Sequence, residues 1–345
     1  MKPKQIIVLS IILGILVAGV LFKSALRGQD PRTVRGPWSD EKSLLDFEPA
    51  KVEGIYLERR GKSVPPVSLV RKDVGWTVAS RWDVLADESR VVRFLEKLRD
   101  LRGELRATGD RFYGDFGIGD AEAFTAQLTG KDGAALLDLR IGTKRAGREG
   151  YFLRRAGTDT IYLTETDLGE LLGIFTDLSE AAPSADPWVD LSLFELPVDE
   201  VVSVVIERDR MPVLGIRRGT GGEGATENAW SFVRTGTPAK TVDPDKALHL
   251  LVAFNSIRAQ KVVDPKSGDH GLNAPVLEIT VTRKERGEVR VTVGAKDAKE
   301  DAYFVKISGR PGIFKLSADD FQELDITDER LVRETPSAKE APKVP

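Results

Sequence analysis

The stretch ADESRVVRFLEKLRDL, residues 86–101, decides the fold, because its pattern recurs as VDPDKALHLLVAFNSI, residues 242–257. In each stretch an aspartate, Asp87 or Asp243, stands where a helix N-cap is expected. Apolar residues then follow at the spacing of one helix face. These residues are Val91, Phe94, Leu95, Leu98 and Leu101, then Ala247, Leu250, Leu251, Phe254 and Ile257, each pair 156 positions apart. The chain therefore encodes the same amphipathic helix twice.

Strand patterns flank both helices in the same order. VEGIYLER (52–59) precedes the first helix and VVSVVIER (201–208) the second, and alternating apolar residues follow each helix. The spacing drifts between 149 and 156 residues, as it does when loops differ in length between two copies. We predict an α+β fold in which two tandem copies of one antiparallel-sheet-plus-helix domain follow an N-terminal transmembrane helix. The predicted bounds are 37–186 and 187–331, with a disordered tail over 332–345.

The N-terminal residues predict a membrane anchor. Residues 6–22, IIVLSIILGILVAGVLF, carry no charge and reach the lower length limit of a spanning helix, which leaves 1–5 as a cytoplasmic tail. A cleaved signal peptide is the alternative, but its apolar region is usually about 7–15 residues long. Positive charges are more numerous after the segment than before it, which favours the opposite orientation, yet long domains translocate largely regardless of charge. We expect a single-pass protein of the bacterial inner membrane with its bulk in the periplasm.

Small residues recur every fourth position within the predicted anchor. Ser10, Gly14 and Ala18 would lie along one stripe of the helix. Such stripes let a partner helix pack closely, although small residues are also common in membrane helices in general. The stripe is a candidate helix-packing face.

Composition excludes several classes of function. The 51 basic and 54 acidic residues are well mixed, so the sequence predicts no nucleic-acid partner. Cysteine is absent, which removes disulfides and thiolate metal sites. His249 and His270 are the only imidazoles, and we predict no metal site and no cofactor.

Sequence motifs for catalysis or cofactor binding are also sparse. Residues 219–224, GTGGEG, fit the dinucleotide fingerprint, but the strand-like WSFV follows where a helix is required. The glycine pairs Gly117/Gly271 and Gly142/Gly294 are interpreted as turn positions. We predict no catalytic residue. Trp38, Trp82 and Trp188 form a candidate aromatic surface, with burial in a core or linker as the favoured alternative.

The order of these motifs resembles a known family. The matching residues are Trp76, Ala86-Asp87 and Phe116-Gly117-Ile118, followed by Trp230, Val242-Asp243 and His270-Gly271-Leu272. In this order they resemble bacterial membrane-anchored proteins classed as a domain of unknown function, which often carry the module twice. The resemblance implies partners among ABC-2-type transporter subunits and a gliding-motility-type auxiliary protein. It brings no catalytic residue.

The sequence is compatible with three functions. The first is a non-enzymatic, membrane-anchored accessory or scaffold protein of an envelope ABC-type transport or motility system. The second is a periplasmic ligand- or glycan-binding module that uses exposed tryptophans. The third, an envelope hydrolase, would require carboxylates that converge in space.

Overall fold

The computed structural model describes residues 44–144, 150–174, 178, 181–219, 229–233 and 241–333. These residues form two antiparallel sheets and a few helices, which confirms the predicted α+β class and the presence of two sheet domains. We call the part that holds the first sheet the first half and the part that holds the second sheet the second half. Their buried apolar side chains belong to one continuous core.

The first sheet has nine strands in the order β4-β3-β2-β1-β6-β7-β8-β9-β5. The strands are β1 (Gly54–Arg59), β2 (Val67–Lys72), β3 (Gly75–Val78), β4 (Val84–Leu85), β5 (Glu104–Thr108), β6 (Phe124–Thr129), β7 (Ala135–Lys144), β8 (Tyr151–Arg155) and β9 (Thr160–Thr164). Apolar residues alternate along β1, where Ile55 and Leu57 are buried. Period-two alternation therefore gives this sheet one core face.

The second sheet has eight strands in the order β12-β11-β10-β14-β15-β16-β17-β13. The strands are β10 (Val201–Arg208), β11 (Met211–Arg218), β12 (Trp230–Phe232), β13 (Lys261–Val263), β14 (Leu277–Arg283), β15 (Gly287–Asp297), β16 (Ala302–Ile307) and β17 (Ile313–Ser317). Apart from β4, each strand of the first sheet has a counterpart at the same place in this order.

The helices are α1 (Glu88–Arg99), α2 (Tyr113–Phe116), α3 (Leu168–Leu172), α4 (Pro244–Ser256), α5 (Ala318–Leu324) and α6 (Asp328–Leu331). The two repeated helices begin as predicted: Asp87 accepts a hydrogen bond from the Arg90 amide, and Asp243 accepts from the amides of Asp245 and Lys246. An aspartate cap satisfies amides that have no partner within the helix. The predicted apolar faces of α1 and α4 are buried.

Two glycines interpreted as turn positions lie instead inside strands. Gly142 is in β7 and Gly294 is in β15, each at a bulge in the pairing with the next strand. A Cβ atom at Gly142 would overlap the carbonyl oxygen of Phe116, and one at Gly294 would overlap that of His270. The turn interpretation is therefore wrong for this pair, because each glycine lets a crossing loop approach the strand. Gly117 and Gly271 fit the turn interpretation, since their φ angles of 62° and 69° are in the left-handed region.

A cluster of charged side chains lies on the outer face of the first sheet. The Asp120 carboxylate accepts hydrogen bonds from Arg140 Nε at 2.7 Å and Arg154 Nη2 at 3.0 Å. Both guanidinium groups are buried, and Arg140 also pairs with Asp138. The hydrogen bond from Arg140 holds the pKa of Asp120 below its ordinary value. The cluster thus anchors the loop that carries Asp120 to the sheet.

The Asp120→Asn substitution should lower the free energy of unfolding by about 1–2 kcal/mol at pH 7, a modest figure because water screens the exposed carboxylate. Since the folded pKa is below the unfolded value of about 4, the pairing stabilises the fold above that pH and is lost as the pH falls through the folded pKa. Urea unfolding of the full chain at pH 7 and about pH 3 measures this. Asp110→Asn, an exposed change in the same region, is the control. A difference from wild type that stays constant at acid pH would contradict the assignment.

The predicted segments at both chain ends fall largely outside the described residues. No helix among the residues described is long and apolar enough to cross a membrane, and the predicted anchor 6–22 and tail 1–5 are not among them. At the other end, Val332 forms a bridge with Val242, and the Arg333 amide donates to Thr241 O. These two residues, predicted to begin a disordered tail, are therefore paired with the second half; residues 334–345 are not described.

Candidate functional site at the junction of the halves

The two halves are joined by a connector, residues 186–190, that is bonded to the first half. The Asp87 amide donates to Trp188 O at 2.8 Å, and the Asp190 amide donates to Leu85 O at 2.9 Å. Between these bonds Ala86 and Val189 form an antiparallel bridge. The connector therefore runs as an extra edge segment beside β4, and its backbone is not free to pivot.

Trp188 fixes the connector to the core of the first half. Its side chain is fully buried, with its ring edge-on to Phe94 at a centroid distance of 5.2 Å. The Arg90 guanidinium lies over the indole ring, 5.2 Å from its centroid. A tryptophan side chain that becomes fully buried on folding contributes strongly to stability.

Arg310 of the second half holds the other side of the connector. Its guanidinium donates to the carbonyl oxygens of Ser192 at 2.5 Å and Asp190 at 2.9 Å, and pairs with the Asp190 carboxylate at 2.8 Å. Both side chains are only 13% exposed, so this pair is largely shielded from water. Gly312 lies directly against Val84, which brings the second half into contact with β4. The connector is therefore bonded on both sides.

The same bonding pattern recurs at the end of the second half. There the Asp243 amide donates to Leu331 O, and the bridge of Val242 with Val332 corresponds to that of Ala86 with Val189. The connector thus occupies in the first half the place that residues 331–333 occupy in the second. The predicted boundary between residues 186 and 187 falls within a segment that packs on the first half while leading into the second.

A groove with a volume of about 390 Å³ opens beside the connector, and we call it the junction groove. One wall is formed by the β2–β3 turn, the end of β4 and the start of α1; the other belongs to the segment after the connector and to Arg258. Its lining residues are Val74, Gly75, Trp76, Leu85, Ala86, Asp87, Glu88, Ser89, Asp190, Ser192, Glu195 and Arg258. Both halves therefore contribute to one concave surface.

The junction groove is acidic and has an apolar side. Asp87 is engaged as the cap of α1 and Asp190 is paired with Arg310. Glu88 and Glu195 are exposed and form no ion pair with any residue that the structure describes, and Arg258 is the one exposed cation among the lining residues. Val74 is 73% exposed at the rim. Such a surface can accept an extended segment that carries a basic side chain beside an apolar one.

The residues singled out from sequence do not converge at one site. Trp188 is buried, so the hypothesis that it lines an exposed aromatic surface is wrong: the connector folds its ring into the core. Trp82 is 40% exposed and adopts a left-handed conformation with φ 56°. Trp38 and the stripe Ser10, Gly14 and Ala18 lie outside the described residues.

The two histidines lie in different surroundings, one buried and one exposed. His270 is buried edge-on against Phe304 at 4.6 Å, at the place where the first half has Phe116 against Phe152. His249 lies on the exposed side of α4. Across the described ranges, no group of three or more histidine and carboxylate side chains could hold a metal ion.

Sequence reasoning missed Glu88, Glu195 and Arg258, the charges of the junction groove that form no ion pair within the described ranges. Exposed charges follow no period, so their sequence pattern does not distinguish them from any solvated surface. The one available signal was the repeated Pro-Trp pair at 37–38 and 187–188, which marks where the connector lies.

Two antiparallel sheets joined by a bonded connector define an α+β protein with two sheet domains. The model of a family described as "Domain of unknown function (DUF4340)" matches residues 76–275, which is more than half of the chain. The chain belongs to this family. No curated protein and no solved structure matches it.

Proposed function

We propose that this chain is a non-enzymatic, membrane-anchored accessory protein of an ABC-type transport or motility system in a bacterial envelope. In this proposal residues 6–22 anchor the chain in the inner membrane, and the two-sheet body holds a partner on the periplasmic side. The observation that carries it is the junction groove, a concave surface built from both halves around a connector bonded on each side. A binding surface that is already formed loses little conformational entropy when a partner docks.

Duplication explains how such a surface arises. The two halves are, in this proposal, tandem copies of one domain, supported by their common strand order and by the equivalent bridges at Ala86 and Val242. A single copy has no groove of this kind, because the second wall comes from the start of the next copy. Interfaces between domains are frequent binding places.

The groove also indicates the chemistry of the partner. Glu88 and Glu195 favour a segment that carries Lys or Arg, and Val74 favours an apolar neighbour on the same segment. We assign this segment to a subunit of an ABC-2-type transporter, the partner class implied by the family resemblance. Docking there and helix packing at Ser10, Gly14 and Ala18 would act together, since two linked contacts raise the effective affinity.

The groove contact is tested with Glu88→Gln/Glu195→Gln in the tagged full chain, purified from native membranes. Recovery of ABC-2-type transporter subunits should fall about twofold to thirtyfold, because each of the two exposed ion pairs contributes roughly 0.2–1 kcal/mol. The recovery that remains in this variant should depend less on salt concentration than recovery with wild type does. Glu285→Gln/Glu288→Gln removes the same charge from the β14–β15 hairpin, outside the junction groove, and should leave recovery unchanged.

The anchor contact is tested with Gly14→Leu in the same assay. A bulky side chain on the stripe should weaken helix association by about 1–2 kcal/mol. If neither the groove variant nor Gly14→Leu changes recovery of the transporter subunits, or if wild type recovers none, the proposal fails. Loss of recovery with Gly14→Leu alone would leave the anchor as the docking element and remove the groove from the proposal.

The glycan-binding alternative now depends on Trp82 among the tryptophans described, because Trp76, Trp188 and Trp230 are buried. A left-handed backbone at a large aromatic residue is uncommon and costs on the order of 1–3 kcal/mol. One half-exposed ring offers less area than a stacking surface needs, so we favour the accessory role.

A further inference from the structure

A second cavity, of about 600 Å³, opens on the outer face of the second sheet, away from the junction groove. It lies between the β10–β11 turn, the loop before β14, and the strands β14 and β15. Its polar lining consists of Glu207, Arg210, Asn273, Glu278, Arg290 and Thr292. We call it the outer cavity. Its size is within the range of sites that bind small molecules.

The register of the sheets shows which residues of the first half correspond to this lining. Arg140 lies opposite Thr125 and Arg154, one residue before the bulge of β7 begins at Ile141. Thr292 lies opposite Glu278 and Lys306, one residue before the bulge of β15 begins at Val293. Arg140 therefore corresponds to Thr292, Thr125 to Glu278, and Arg154 to Lys306.

In the first half, side chains fill the place that corresponds to the outer cavity. Arg140 and Arg154 are buried over Thr125, which is itself fully buried, and Asp120 from the crossing loop is bound between the two guanidinium groups. In the second half Thr292 replaces the long arginine. Ala274, three residues after Gly271 as Asp120 is after Gly117, replaces the carboxylate. The second half therefore lacks the arginine–aspartate cluster that fills this place in the first half, and the outer cavity is open there.

The charged groups of the outer cavity are incompletely paired. Glu207 forms no ion pair with any residue in the described part of the chain. Arg290 Nε is 3.5 Å from Glu278 Oε1, a loose contact in which the two side chains are 51% and 25% exposed. The cavity thus presents carboxylates and guanidinium groups that can both accept a ligand.

Arg210 occupies a turn position that suits glycine. The two residues between β10 and β11, Asp209 and Arg210, have φ angles of 48° and 65°. A two-residue hairpin turn of this kind favours Asn-Gly, and a left-handed residue other than glycine costs about 1–2 kcal/mol. Arg210 nevertheless stands there, lines the cavity and donates to Asn273 O at 3.0 Å. The Arg210 side chain therefore lies at the cavity although its left-handed backbone conformation is unfavourable for arginine.

We propose that the outer cavity binds a small zwitterion of the amino-acid class, either a free amino acid or a short peptide. Arg210 and Arg290 would bind its carboxylate, and Glu207 and Glu278 its ammonium group. The first half supplies the precedent, because there two arginines bind the carboxylate of Asp120 at the corresponding place. Charge-assisted hydrogen bonds of this kind are about twice as strong as neutral ones. Binding at the outer cavity does not depend on the accessory role.

The test is titration calorimetry on the full chain in lipid nanodiscs, with L-alanine and L-alanyl-L-alanine as probes. At least one should bind with a millimolar or lower dissociation constant, and which one binds distinguishes a free amino acid from a peptide. The N-acetylated and C-amidated forms of the bound probe should each bind about tenfold or more weakly, since each loses one charge-assisted contact.

Variants locate the site. Glu207→Gln and Arg290→Gln, both at solvated side chains, should weaken binding about tenfold or more, while Glu58→Gln, the matching position in the first half, should have no effect. Thr292→Arg/Ala274→Asp introduces the arginine and the carboxylate that fill this place in the first half, and it should abolish binding in a chain whose circular dichroism is unchanged. The proposal is overturned if wild type binds neither probe, if blocked probes bind as well as free ones, or if Glu207→Gln and Arg290→Gln both bind like wild type.

Discussion

Trp188→Ala is expected to lower the free energy of unfolding by about 3–5 kcal/mol, the largest effect of any single side-chain truncation at the junction. The indole is fully buried, packs edge-on against Phe94 and carries Arg90 beside its ring. Its removal leaves a cavity where the connector meets α1, and the fixed backbone of the connector prevents collapse around it. Urea unfolding of the full chain, followed by circular dichroism, measures the loss.

The connector adds a second expectation for this variant. Because it is bonded to both halves, weakening its anchor should separate one unfolding transition into two, with the halves losing structure at different urea concentrations. Trp82→Ala, at a ring that is 40% exposed, is the control and should cost only about 1 kcal/mol. A loss for Trp188→Ala no greater than that of the control would mean that the ring does not hold the connector.

Gly142→Ala and Gly294→Ala are each expected to cost about 3 kcal/mol, at the upper end of the range for overpacking. In both halves the added methyl group would overlap a backbone carbonyl of the crossing loop, of Phe116 or His270, and not a flexible side chain. Relief would require the loop to leave the strand. The equal effect at two positions 152 residues apart would reflect their equivalent places in the two sheets.

Gly114→Ala is the matched control for both glycine variants. Gly114 lies in α2, and a Cβ atom there would meet nothing within 4 Å. Alanine at such a helical position should be neutral or stabilise the chain by up to about 1 kcal/mol. Thermal unfolding followed by circular dichroism distinguishes a gain from a loss of about 3 kcal/mol. Stability close to wild type for Gly142→Ala would show that the loop can move away without cost.

The repeated elements could be predicted because their signals are local. The apolar face of α1, the aspartate caps and the alternation in β6 and β14 each depend on residues within one helix or one strand. The strand order does not follow from these signals, since β5 and β13 lie at the far edge of each sheet, beside β9 and β17. Gly142 and Gly294 show the limit of such reasoning, since their pairing was visible but the loop that crosses them was not.

Sequence alone determined that this chain is an α+β protein with two similarly patterned halves, because hydrophobic periodicity reports which face of each helix and strand is buried. Tertiary structure decided where the halves meet and what they expose. Trp188 enters the core, Glu88 and Glu195 face one groove, and Thr292 leaves open the place that Arg140 closes in the first half. These outcomes depend on contacts between residues far apart in the chain, and on exposed charges that no local pattern marks.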